Sequence, residues 1–331
     1  MIKIAVIGSG SWATAMIKML TDNQQEKQIN WWVRKAEDIA YIQQYHHNPT
    51  YLSAVEIKLE HISISEHAKD VIQQSDIIIL NTPAAYLEDA LVGLSPIDFK
   101  DKLVVSAIKG IIPSSKLIIG EYLCKTFGVN LDDVVVVGGP CHAEEVSLEK
   151  LSYLTFASQN TANAAIVAQF FQTHYIKTVV SNDLLGVEYG AVLKNIYALA
   201  CGICHGLGYG DNFQAVLISN AIREMEYFVN AIDPKSREIN QSAYLGDLLV
   251  TSYSQYSRNR TFGNMIGKGY SVKSAQLEMN MVAEGFFASD CIQDIILNHQ
   301  LDMPICNMVY SILYKNQSAS TSVKLLSDKL T

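Results

Sequence analysis

The chain opens on I-K-I-A-V-I (2–7) and runs without pause into G-S-G-S-W-A (8–13). A buried-looking strand that ends in G-x-G-x-x-G/A and opens a helix leaves few folds available. Gly8 permits the tight turn and Gly10 lets the main chain approach a pyrophosphate. The free N–H groups of a helix opening at Ser11 face the same anion. Gly8, Gly10, Ser11 and Trp12 are therefore the loop residues expected at a dinucleotide. Without its strand and helix the motif would be weak; with them it carries weight.

The pattern after the loop agrees. Short runs rich in Ile and Val recur at 29–33, 76–80, 103–106, 134–137 and 153–157, near-continuous as in strands buried on both faces. Segments with helical periodicity lie between several of them, at 11–21, 36–45 and 114–127. From about Leu185 long stretches of period near 3.6 take over (187–206, 213–231, 244–256 and 282–298), with few strand signals. The reading is an α/β chain: a Rossmann-type, doubly wound, mostly parallel sheet over 1–184, then an all-helical domain over 185–331. A polar tail from about residue 318 reads as a surface segment or a weakly ordered end.

Composition removes other classes. With a net charge of -8 over 331 residues, the chain lacks the dense basic stripe that nucleic acid requires. No apolar run reads as long enough to cross a bilayer, and the opening apolar stretch is too brief for a signal peptide, so the expected compartment is the cytoplasm. The six cysteines are then expected as free thiols. The eight histidines are scattered without metal-ligand spacing, and no G-x-S-x-G appears. No metal is expected.

The end of the second strand should discriminate between nicotinamide cofactors. Arg34 and Lys35 follow W-W-V, with Glu37 and Asp38 only later. A base there suits the 2'-phosphate of NADP, whereas an acid would suit the hydroxyls of NAD. NADPH is favoured and NADH stays open.

Further segments, in order, are N-P-T-Y-L (48–52), N-T-P (81–83), S-A-I-K-G-I (106–111), G-G-P…A-E-E-V (138–146), G-A-V-L-K-N-I (190–196), G-L-G-Y-G-D-N (206–212), L-G-D-L-L-V-T (245–251), S-R-N-R-T-F-G (257–263) and A-E-G (283–285). In this order the chain resembles bacterial NAD(P)-dependent sn-glycerol-3-phosphate dehydrogenases nearly end to end. The resemblance implies reversible hydride transfer between NAD(P)H and dihydroxyacetone phosphate, giving sn-glycerol 3-phosphate for glycerophospholipid synthesis. It also implies a cleft between the two domains and a homodimer.

Reducing a ketone leaves charge on oxygen, so a proton donor and a positive field are needed. Lys194, set among Val192, Leu193, Ile196 and Tyr197, would be partly desolvated, and burial lowers a lysine towards proton exchange near neutrality. The family's catalytic lysine falls on this position. Lys109 follows a buried strand at the ligand-binding edge of the sheet, and the resemblance brings it to the substrate and to the cofactor. Asp247 and Thr251, four apart, share a helix face, and the family places both in the active site. Asp247 would orient Lys194 or a substrate hydroxyl, and Asn195 would touch substrate. Arg258 with Asn259 offers a guanidinium and an amide suited to the phosphate. Ala143, Arg258 and Glu284 are carried over as further cofactor contacts.

Three places depart from the family pattern: Cys141-His142, Asn220-Ala221 and Ser242-Ala243-Tyr244. Two other readings remain, a related two-domain hydroxyacid dehydrogenase and a non-catalytic NAD(P)-binding redox sensor using Cys201 and Cys204. The stretch C-G-I-C-H (201–205) also carries the spacing of a haem attachment site. In a helix, however, Cys201 and His205 lie roughly 10 and 16 Å along the axis from Lys194, and free cysteine behaves as a small hydrophobe. Packing is the expected role, and no haem is expected.

Overall fold

The computed structural model describes residues 1–279 and 282–331. The chain divides into two compact units, Met1–Ile108 with Leu117–Leu184, and Lys109–Lys116 with Leu185–Thr331.

The first unit is built on an eight-stranded sheet. Its strands are β1 (Ile2–Ile7), β2 (Lys27–Trp32), β3 (Ile62–Ser65), β4 (Ile77–Leu80), β5 (Leu103–Ser106), β6 (Val134–Gly138), β7 (Ser152–Ala157) and β8 (Ile176–Ser181). Their order is β8-β7-β6-β5-β4-β1-β2-β3. The described pairings are parallel except β6 with β7. The helices of this unit are α1 (Ser11–Asp22), α2 (Ala36–Tyr45), α3 (Ala68–Gln73), α4 (Leu87–Ala90), α5 (Ile119–Phe127), α6 (Ala143–Ser147) and α7 (Thr161–Ala168). Strands β4 and β6 are buried along their whole length, which is why I-I-I-L and V-V-V-V-G carry no polar alternation. The chain leaves β1 towards β2 and β3, then returns to the other side of β1 at β4. That reversal makes the carboxyl ends of β1 and β4 the switch point where such sheets hold ligands.

The second unit is helical: α8 (Leu184–Gly206), α9 (Asp211–Ile232), α10 (Asp247–Tyr253), α11 (Arg258–Gly267), α12 (Val272–Glu278), α13 (Glu284–His299), α14 (Pro304–Lys315) and α15 (Ala319–Ser327). The segment Lys109–Lys116 belongs with it, its far end held by Lys116, which donates to Asp294 at 2.6 Å. By length and composition α8 could cross a membrane, against the expectation that no run would. Its apolarity serves the core instead, since 94% of its most apolar window is buried in the protein.

Several local expectations are corrected. Strands β3 and β8 form although their sequences gave no clear signal; both are edge strands of mixed polarity. The helix expected from 114 begins only at Ile119, because Leu117–Ile118 is extended. The single helix expected over 244–256 is instead a π turn, Ser242–Gly246, followed by α10. The polar tail is not loose: Ser318 caps α15 by accepting from Thr321 N–H, and Val323 and Leu326 are buried.

Candidate active site

At the end of β1, Gly8 has φ +133°, and a Cβ there would stand 2.9 Å from the Asn81 carbonyl oxygen. Only glycine fits both the conformation and the approach of the N-T-P turn that follows β4. Gly10 differs. Its backbone is extended and an added Cβ would meet nothing within 4 Å, so the protein's own packing does not require the glycine there. The open space lies at the amino end of α1, whose cap contributes no side chain and whose first turn carries no acid. That arrangement fits an anionic ligand approaching the main chain. The loop carbonyls are occupied by the protein. Trp31 Nε1 donates to Gly8 at 2.7 Å, Asn48 Nδ2 to Ser9 at 3.0 Å, and Thr14 N to Gly10 at 2.9 Å. Ser11 and Trp12 open the helix half-buried, and Arg34 stands exposed two residues beyond β2.

In the second unit, Lys194 lies mid-helix on α8 and is buried among apolar neighbours. Its ammonium donates to one oxygen of Asp247, the first residue of α10. Lys109 Nζ donates to the other oxygen at 3.3 Å. A carboxylate this deeply buried would be costly alone. Burial raises it, but the two lysines outweigh burial and hold the Asp247 carboxyl below its usual range. Lys194 behaves oppositely. Burial lowers it most, Asp247 resists and Lys109 adds to the fall, leaving it at about 7. A lysine poised there exchanges a proton near neutral pH, which no exposed lysine does.

An amide chain supports the pair. Gly285 N–H donates to Asn259 Oδ1 at 2.9 Å, Asn259 Nδ2 to Asn195 Oδ1 at 2.9 Å, and Asn195 Nδ2 to the Lys109 carbonyl at 2.7 Å. Running from a main-chain donor to a main-chain acceptor, this chain fixes how both amides are turned. Lys109, Lys194, Asn195, Asp247 and Asn259 are thus brought together. Thr251 shares the buried face, but its hydroxyl donates to the Asp247 carbonyl at 2.6 Å within α10. Arg258 is exposed at the start of α11, with Nη1 donating to the Val282 carbonyl at 3.3 Å. Glu284 opens α13 beside Gly285, and Ala143 opens α6 in the first unit, buried.

Asn48, within N-P-T-Y-L, braces the glycine loop through Ser9 and Thr14, a role with no signal in the local sequence. Gly285 is a second such residue: a Cβ there would fall 2.6 Å from the Asn195 carbonyl oxygen. Of the departures, Tyr244 lies in the π turn against Gly190, where a Cβ would come 3.2 Å from its ring. The turn leads directly into Asp247, and π turns recur where a functional side chain must be re-aimed. None of the six cysteines is in a disulfide. Cys201 and Cys204 are buried, which pushes their thiols up to about 11 and about 12. Among the described residues no three His, Cys, Asp or Glu side chains stand together as a metal-binding group.

Two family models match the chain: the NAD-dependent glycerol-3-phosphate dehydrogenase N-terminus over residues 3–164 and its C-terminus over 183–324. The glycerol-3-phosphate dehydrogenases [NAD(P)+] of Bacillus velezensis and Bacillus subtilis are each 34% identical over 325 residues, covering 98% of this chain and 93% of theirs. Among solved structures, glycerol-3-phosphate dehydrogenase from Coxiella burnetii superposes with a TM-score of 0.89 at 26% identity over 98% of both chains.

Proposed function

The chain belongs to the NAD-dependent glycerol-3-phosphate dehydrogenase family, and from that premise we propose that it interconverts dihydroxyacetone phosphate and sn-glycerol 3-phosphate using NAD(P)H. The observation that carries the proposal is the buried Lys194, lowered to about 7 and held on Asp247 beside Lys109.

The nicotinamide, when bound, supplies the hydride. Lys194 as the ammonium gives its proton to the substrate oxygen as the carbonyl carbon is reduced, and as the amine takes it back from the hydroxyl in oxidation. Lys109 adds positive charge where the oxygen becomes negative. Asp247 holds both lysines in place. Arg258 takes the substrate phosphate, with Asn195, Thr251 and Asn259 lining the same site.

Gly8, Gly10, Ser11 and Trp12 would hold the pyrophosphate, and Arg34 would hold a 2'-phosphate, favouring NADPH over NADH. Lys109, Ala143, Arg258 and Glu284 complete the proposed cofactor contacts. In this reading residues 1–184 supply most of the cofactor site and 185–331 most of the substrate site, with Lys109, Arg258 and Glu284 serving across that division. The enzyme works as a cytoplasmic homodimer that feeds glycerophospholipid synthesis and needs no metal or haem.

The test is loss of NADPH absorbance when dihydroxyacetone phosphate is added to purified, metal-stripped protein. Turnover with either reduced cofactor supports the reading, and none with both contradicts it.

A further inference from the structure

The stretch C-G-I-C-H-G (201–206), which the proposed chemistry leaves aside, contains G-x-x-x-G, and so does G-N-M-I-G (263–267). The two meet. A Cβ on Gly263 would fall 2.2 Å from the Leu199 carbonyl oxygen, and one on Gly267 would fall 2.3 Å from that of Ile203. In return, a Cβ on Gly202 would fall 2.1 Å from the Arg260 oxygen, and one on Gly206 would fall 2.4 Å from that of Asn264. Backbone therefore packs on backbone where α8 crosses α11.

The contacts keep a fixed register. Leu199 faces Gly263 and Ile203 faces Gly267; four residues earlier on each helix, Asn195 accepts from Asn259 at 2.9 Å. The ladder thus runs from the two cysteines to the residue next to Lys194 on one helix and the residue next to Arg258 on the other. Gly285 of α13 closes the same end, packed on the Asn195 carbonyl and bonded to Asn259.

We propose that Gly202, Gly206, Gly263 and Gly267 are positioning residues: their crossing sets where the phosphate-binding end of α11 stands relative to Lys194. This rests on the reading given under Proposed function. A methyl group at Gly263 would have to push the helices apart by about 1 Å to reach an ordinary contact, and close-packed backbone transmits such a shift. Misplacement on that scale costs about 10²-fold when it separates a substrate handle from the reacting centre.

The test compares dihydroxyacetone phosphate with dihydroxyacetone, which lacks the handle. Gly202→Ala and Gly263→Ala, on opposite helices, should each lower kcat/KM for the phosphorylated substrate about 10²-fold while leaving that for dihydroxyacetone within about threefold. Equal losses on both substrates, or no loss, would overturn the proposal. If both variants fail to melt cooperatively, Gly206→Ala serves, because α8 ends there and can adjust; the same bias should appear, at about tenfold. Should the wild type reduce neither substrate, the functional reading falls, and calorimetry with inorganic phosphate decides this point separately. Weaker phosphate binding by Gly206→Ala than by wild type supports the positioning role; equal or absent binding overturns it.

Discussion

Lys194 donates to the carboxylate of Asp247 with both side chains out of water, 5% and 2% exposed respectively. Burial drives the lysine towards its neutral form and the carboxylate pulls it back. Lys109, on the second carboxylate oxygen, pushes in the same direction as burial. The balance at about 7 therefore depends on three groups, and removing either partner should move it in opposite directions.

On the proposed mechanism Lys194 must be neutral in glycerol 3-phosphate oxidation, so its titration would set the acid limb of kcat. Asp247→Asn removes the group that favours the ammonium and should move that limb to lower pH. Lys109→Met removes the group that opposes it and should move the limb to higher pH. Each shift should be about half a unit or more. Shifts in the same direction would contradict the assignment.

Arg34 stands exposed beyond β2, free of the packing that would make its loss structural. Arg34→Ala should raise KM for NADPH about tenfold, the scale of one charge-assisted phosphate contact, and leave KM for NADH within about twofold. Equal effects on the two cofactors would remove Arg34 from the 2'-phosphate.

Glu224 on α9 accepts from the N–H groups of Ile305 and Cys306 at the start of α14, at 2.9 and 3.0 Å. Burial nonetheless pushes its carboxyl up to about 7. A raised folded-state value contributes stability that is full below the unfolded value and is lost as pH rises through about 7. Glu224→Gln should flatten that part of the dependence of Tm between about pH 4.5 and 7, a contribution on the order of 1–3 kcal/mol. An unchanged slope would place the titration elsewhere.

Cys201 and Cys204 are buried with raised thiols, a setting that suppresses thiolate chemistry. The double variant Cys201→Ala/Cys204→Ala should keep turnover within about threefold and lose about 1–2 kcal/mol of stability from reduced packing. Loss of turnover on removing the two thiols would instead contradict a packing role for Cys201 and Cys204.

The parts legible in sequence were those written in local pattern. β1 with its glycine loop, and the fully apolar β4 and β6, announced a buried parallel sheet because nothing polar interrupts them. β3 and β8 were missed because edge strands are half-solvated and read as mixed. Lys194, Asp247 and Asn195 stand out through motifs, and the resemblance already sets Asp247 to orient Lys194; the bonds that tie Lys109 to Asp247 and to Asn195 have no local signal. They depend on the segment from Lys109 joining the helical unit, contacts across 86 and 138 residues of sequence. Likewise C-G-I-C-H-G shows its glycines plainly, yet only the fold supplies the second G-x-x-x-G that explains them.

A Lys194 that transfers the proton must titrate near neutral pH, which is read by following its ε-carbon resonance in 13C-lysine-labelled protein across pH, assigned through Lys194→Arg. A midpoint near 7 is predicted. A midpoint that stays near the ordinary lysine value of about 10.4 would rule out Lys194 as the proton donor.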